Sequence, residues 1–232
     1  MSEREFPRVK ELQNSIPDPD SPSCYFRGFD ETVKDPIKRK HFIDIEKELQ
    51  GLSPKAWHFL KSELEPLLTA RDEKRGWRAL FDKLNHAKAY NYLATMGCTG
   101  ITFIRESLTR TPDLQANLGS RTVLCEVKTI HPSDSEIEAR NNFHARAILM
   151  RLTDGFFRKL HSDLQNAKAQ MEAYCADPTV RRIVYIVVNF DDILHEYVAE
   201  YSEQIDAFMG TNPVPGLEAK FDIKPPFYAA TA

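Results

Sequence analysis

The chain has no long apolar run. "IVYIVV", Ile183 to Val188, is its strongest, and it is strand-sized, far short of the roughly 20 residues a membrane span needs. The opening "MSEREFPRVKELQ" carries charge where a signal peptide would need an apolar stretch. Cysteine is sparse as well. Cys24, Cys98, Cys125 and Cys175 are widely scattered, with no CxxC and no Cys/His spacing, which speaks against a zinc site. These absences lead to the expectation of a reduced, cytoplasmic protein with no membrane partner. No internal repeat is present. There is no excess of positive charge either: the net charge of -3 argues against a wholesale nucleic-acid coat.

The distribution of charge says more than its sum. Residues 71–130 carry ten Lys and Arg against six Asp and Glu, whereas residues 189–232 carry two against eight. A basic middle beside an acidic end can present one basic face to a polyanion, although counts alone are also compatible with chance. With 232 residues, 42% hydrophobic and 28% charged, the chain suffices for one substantial core with a helical annex.

Residues 1–34 hold "SIPDPDSPS" and few periodic apolar positions, so they read as an extended or poorly ordered arm. A helical annex is expected over 35–72. It comprises a helix from Pro36 to Gln50 and a second one that Ser53 caps, with Pro54 at its first position. A longer helix is expected from Glu73 to Met96, ended by Gly97. The texture then changes to three strand candidates, "ITFIRE", "TPDLQANL" and "RTVLCEVKTI", the last two joined by a short turn near "NLGS". A polar stretch follows, then a helix from Asp154 to Ala176 with Phe157, Leu160, Leu164, Ala167 and Met171 on one stripe. "RRIVYIVVNF" reads as a strand buried on both faces. A helix over Asp192 to Met209 closes a domain spanning 73–209, and 210–232 read as a Pro-containing tail. The order implies an α/β sandwich around a mixed sheet.

One strand raises a chemical question. In "RTVLCEVKTI", Val123, Cys125, Val127 and Thr129 share one face, and Leu124, Glu126 and Lys128 the other. A hairpin turn near Leu118 and Gly119 puts residue 113 roughly opposite 124, so Asp113 joins the charged face. Two carboxylates on adjacent strands can reach one cation, and hard oxygen donors suit magnesium. A nearby lysine can orient a water or stabilise charge growing on phosphate oxygens. Taken alone, Glu126 and Lys128 read equally as an exposed pair that keeps a strand soluble.

Here the sequence resembles the PD-(D/E)xK nuclease superfamily, through "PD" at Pro112-Asp113, "EVK" at Glu126-Val127-Lys128 and the order of elements from about Gly76 to Phe190. The resemblance implies a restriction-endonuclease-like αβββαβ core with helices flanking a mixed sheet, plus the N-terminal helical annex. It implies a metal-dependent endonuclease that hydrolyses phosphodiester bonds, in DNA rather than RNA, by a metal-activated water. Asp113 and Glu126 would bind Mg2+ or Mn2+, the carbonyl of Val127 would add a ligand, and Lys128 would position the water. Many members also carry a glutamate on the helix before the sheet, where this chain has Asn85 and His86. His86 is therefore kept as an auxiliary candidate. Gln165, Lys168 and Gln170 are the candidates for a glutamine or lysine that some members carry on the helix after the motif; the helical stripe does not choose among them, and they read equally as an ordinary solvated helix face. Arg140, Arg146 and Arg151 flank the polar stretch and read as phosphate contacts or as solubility residues. Double-strand cutting commonly takes two active sites, so a homodimer is an expectation too. The alternative reading is a catalytically inactive nuclease fold retained for binding nucleic acid or a partner. A more distant one is a regulatory domain that docks a partner through its acidic tail.

Overall fold

A computed structural model describes residues 5–73, 75–105, 110–131, 151–189 and 198–223. The chain is α/β and forms two compact units, one within residues 1–103 and one within 104–226. Among the described residues, no helix is long and apolar enough to cross a membrane.

The first unit is helical: α1 (Pro7–Asn14), α2 (Phe29–Thr32), α3 (Pro36–Gln50), α4 (Pro54–Leu64) with a 3-10 turn (Glu65–Thr69), and α5 (Arg78–Thr95), followed by β1 (Thr99–Phe103). The caps explain the boundaries of α3 and α4. Asp35 accepts from the N–H groups of Ile37 and Lys38, Ser53 accepts from Ala56, and proline opens each helix. Gly97, at φ 82°, takes the left-handed conformation just beyond the end of α5.

The expected N-terminal arm is instead packed. Phe6, Val9, Leu12, Cys24, Phe26 and Phe29 are all buried. Phe6 precedes α1 and has no side-chain oxygen to cap it, so the cap comes from a distance. Glu46 of α3, 3% exposed, accepts from the N–H of Val9 at 2.8 Å and of Arg8 at 3.2 Å. A carboxylate at a helix N-terminus meets both the orphan donors and the positive end of the dipole. Arg8 in turn donates to the carbonyls of Leu49 and Leu52. Glu46→Ala is expected to cost about 1–3 kcal/mol, the penalty for stranding buried donors. Urea unfolding measures it, and an unchanged midpoint would show that the cap contributes nothing.

The second unit carries β2 (Leu114–Leu118), β3 (Arg121–Ile130), α6 (Asp154–Tyr174), β4 (Arg181–Val188), α7 (Val198–Thr211) and β5 (Glu218–Asp222). β2 pairs antiparallel with β3, while β3 with β4 and β4 with β5 are parallel, so the sheet is mixed. The hairpin closes through Gly119 and Ser120 between paired Leu118 and Arg121. Gly119 sits at φ 59°, the first-position glycine of a type II′ turn. That turn sets the register: Leu114 faces Cys125, so one step further Asp113 faces Glu126, two residues from the expected partner 124. The shift is even, so the face expected for Asp113 is kept.

Leu124, Ile130, Val184, Ile186 and Val188 form one core with Leu160, Leu164, Ala167 and Met171 of α6 and Ile205 of α7. The face that carries Glu126 and Lys128 is thus covered by helix along most of its length. The tail expected from residue 210 contains β5, whose five residues "EAKFD" alternate in burial beside β4. Being short, polar and preceded by Pro-Gly, it resembles loop. Helix α5, expected to open the nuclease-like domain, belongs to the first unit.

Candidate active site

The fully charged positions of β3 divide by depth. Glu126 is 4% exposed, whereas the side chain of Lys128, two residues nearer the strand end, is 30% exposed. Glu126 is therefore no solubility device: a buried carboxylate is costly unless its oxygens are partnered. They are. Lys128 Nζ donates to Oε1 at 2.7 Å and Gln170 Nε2, from α6, donates to Oε2 at 2.9 Å. The same Gln170 amide donates to the carbonyl of Thr111 at 2.7 Å, tying α6 to the segment that leads into β2. Across the hairpin, Asp113 Oδ2 accepts from the N–H of Val127 at 2.7 Å. Directly opposed residues of an antiparallel pair stand about 4.5–5.5 Å apart at Cα, a span two carboxylates can close onto one cation.

These groups line an open cleft of about 590 Å³ floored by Asp113, Glu126, Val127 and Lys128 and walled on one side by α6. Burial pushes the Glu126 carboxyl up to about 7, and the nearby charge of Asp113 pushes in the same direction; the bonds from Lys128 and Gln170 oppose both. The sign for stability follows. Between its ordinary value and about 7 the folded state binds the proton that the unfolded chain has released, so stability falls as pH rises through that window and levels off above it. Glu126→Gln is expected to flatten that slope in chelator. Urea unfolding from pH 4.5 to 8 measures it, and equal slopes in both proteins would contradict the assignment. Cation binding follows the opposite course. It requires the ionised carboxylate, so affinity rises with pH up to about 7.

Among the described residues no group of three or more His, Cys, Asp or Glu gathers to hold a metal. Two carboxylates with room for water nevertheless fit a hard divalent cation. Magnesium typically takes one or two protein carboxylates and keeps several waters. Val127, expected to add its carbonyl, lines the cleft too, and its N–H donates to Asp113.

Of the auxiliary candidates, the structure singles out Gln170. Gln165 is exposed and bonds His161 at 2.9 Å on its own helix, and Lys168 pairs with Glu172 at 2.7 Å. His86 lies in the first unit, its ring 6.4 Å from that of Phe103. Arg151 is exposed and does not line the cleft. Arg140 and Arg146 lie outside the described residues. Sequence reasoning missed Arg110, Lys159, Asp163 and Asn166, which do line it. The last three share a helical stripe with Gln170 at spacings of four, three and four, a signal hidden beside the stronger apolar stripe.

Comparison with known proteins finds no matching family model, no matching curated protein and no matching solved structure.

Proposed function

We propose that this chain is a metal-dependent nuclease with a restriction-endonuclease-like core, hydrolysing phosphodiester bonds in nucleic acid, DNA before RNA. One observation carries the reading: a buried carboxylate, Glu126, faces Asp113 across a hairpin and is bonded to a partly exposed lysine at the floor of an open cleft. Burying an acid that deeply costs stability, and a carboxyl raised by burial beside a second acid in a cleft is a candidate functional group.

Asp113 and Glu126 would hold Mg2+ or Mn2+. A divalent cation there supplies charge neutralisation for phosphate oxygens and a lowered pKa for water. The chain's own groups do the rest. The Val127 N–H and the Gln170 amide fix one oxygen of each acid, and the other oxygen of Glu126, held by Lys128, would turn to the cation as the lysine yields it. Lys128 reaches from Glu126 into the cleft, where its ammonium can donate to a non-bridging phosphate oxygen and stabilise the charge that grows there.

The test is incubation of purified protein with plasmid, linear duplex, single-stranded DNA and RNA, in magnesium, manganese and chelator in parallel. Cleavage with either metal and none in chelator is expected. No cleavage of any substrate would leave the inactive, binding-only fold in its place.

A further inference from the structure

Helix α6 carries two stripes. Leu160, Leu164, Ala167 and Met171 pack into the core of the second unit. Lys159, Asp163, Asn166 and Gln170, roughly a quarter-turn round the helix, all line the cleft. At 1.5 Å per residue the second stripe is about 16 Å long. Its Gln170 end bonds to the acid centre. The proposed chemistry leaves the other three residues unused.

We propose that this stripe, with Arg110 on the cleft's lining, is a subsite for a single polynucleotide strand running away from the scissile phosphate. The inference rests on the nuclease reading for its direction, since Gln170 and Glu126 mark where the strand is cut. The size supports one strand. About 590 Å³ falls in the range of clefts that take small molecules, about 300–1,000 Å³, room for a nucleotide or two of one strand. The chemistry fits as well. Lys159 and Arg110 can meet backbone phosphates on either side, while the Asn166 amide, with a donor and an acceptor, suits a sugar or base edge exposed in an unpaired strand.

The lysine is not free to act as it stands. Lys159 Nζ pairs with Asp163 Oδ2 at 2.6 Å, the lysine side chain 52% exposed and the aspartate 21%. Asp163 therefore competes with phosphate for Lys159. Two substitutions one helical turn apart must then act with opposite sign. Lys159→Ala weakens strand binding, while Asp163→Asn strengthens it.

The probe is a fluorescently labelled single-stranded oligonucleotide, titrated with the full chain in Ca2+ so that it is not consumed, and read by anisotropy over a salt series. Lys159→Ala is expected to shallow the slope of log affinity against log salt by about 0.7, one phosphate contact on a single strand. Asp163→Asn is expected to tighten binding about two- to fivefold, the range an exposed ion pair is worth, and the double variant should behave as Lys159→Ala. The matching duplex should bind more weakly and respond to neither change. An unchanged salt slope in Lys159→Ala, unchanged or weakened binding in Asp163→Asn, or a duplex bound as tightly with the same responses would each overturn the proposal. These results separate from the nuclease reading. Strand binding with the opposed responses but no cleavage in Mg2+ sinks the catalysis and leaves the subsite. Cleavage with inert Lys159 and Asp163 variants does the reverse.

Discussion

Lys128→Ala is expected to slow phosphodiester cleavage about 10²–10³-fold, the usual loss when one positioned electrostatic donor is removed. Divalent-metal binding, measured well above pH 7 because loss of Lys128 also lets the Glu126 carboxyl rise further, should be retained or tightened. The two effects part because the ammonium acts in opposite senses on the two events. It lies 2.7 Å from Glu126 Oε1, where it repels an incoming cation, yet from the same place it can attract the negative charge that accumulates on a phosphate during reaction. A merely structural lysine would lower both or neither. Single-turnover rates in Mg2+ together with calorimetric titration of Mn2+ make the distinction. Loss of metal binding in this variant would show that Lys128 supports the fold of the site and not its chemistry. Its side chain is 30% exposed, so truncation leaves no core cavity.

Asp113→Asn is expected to lower metal affinity by at least about 100-fold, the upper end for even an indirect partner of a metal ligand, and to bring cleavage down with it. The amide keeps an oxygen that can accept from Val127, so the hairpin retains its bond and only charge is lost. The charge has a second consequence. After burial, Asp113 is the next largest influence raising the Glu126 carboxyl, so the variant should return Glu126 toward its ordinary range. NMR titration of the Glu126 side-chain carboxyl would follow that shift. A Glu126 titration unmoved by the substitution would mean that the two acids do not face one point.

The residues that carry local signals were readable from the sequence. β3 spans Arg121–Ile130 as its alternation implies, and α3 and α4 begin where Asp35 and Ser53 cap them. The charged face of β3 was legible because period-two alternation survives even when one residue, Glu126, is buried. What escaped depends on distant partners. Phe6 and Val9 look like arm residues until Glu46, 37 positions from Val9, supplies the cap that α1 lacks. That Asp113, one step beyond the Leu114–Cys125 pair, comes level with Glu126 in place of 124 follows from a two-residue turn whose length the string "NLGS" does not state. Gln170 could not be told from Gln165 or Lys168 by helical phase, because only the packing of α6 on the sheet decides which amide meets the buried acid. β5 was lost among prolines and acids, since its alternation covers five residues and its pairing is with a strand more than thirty positions earlier.

Asp113 and Glu126 together are expected to hold one divalent cation at the floor of the cleft. An anomalous difference map from a crystal soaked in Mn2+ tests it directly. The expected result is a single strong peak within about 2.0–2.3 Å of one carboxylate oxygen from each residue, at hard-cation distances, with waters completing the shell. A peak elsewhere on the chain with none between these two side chains, or a peak ligated by one of them alone, would contradict it.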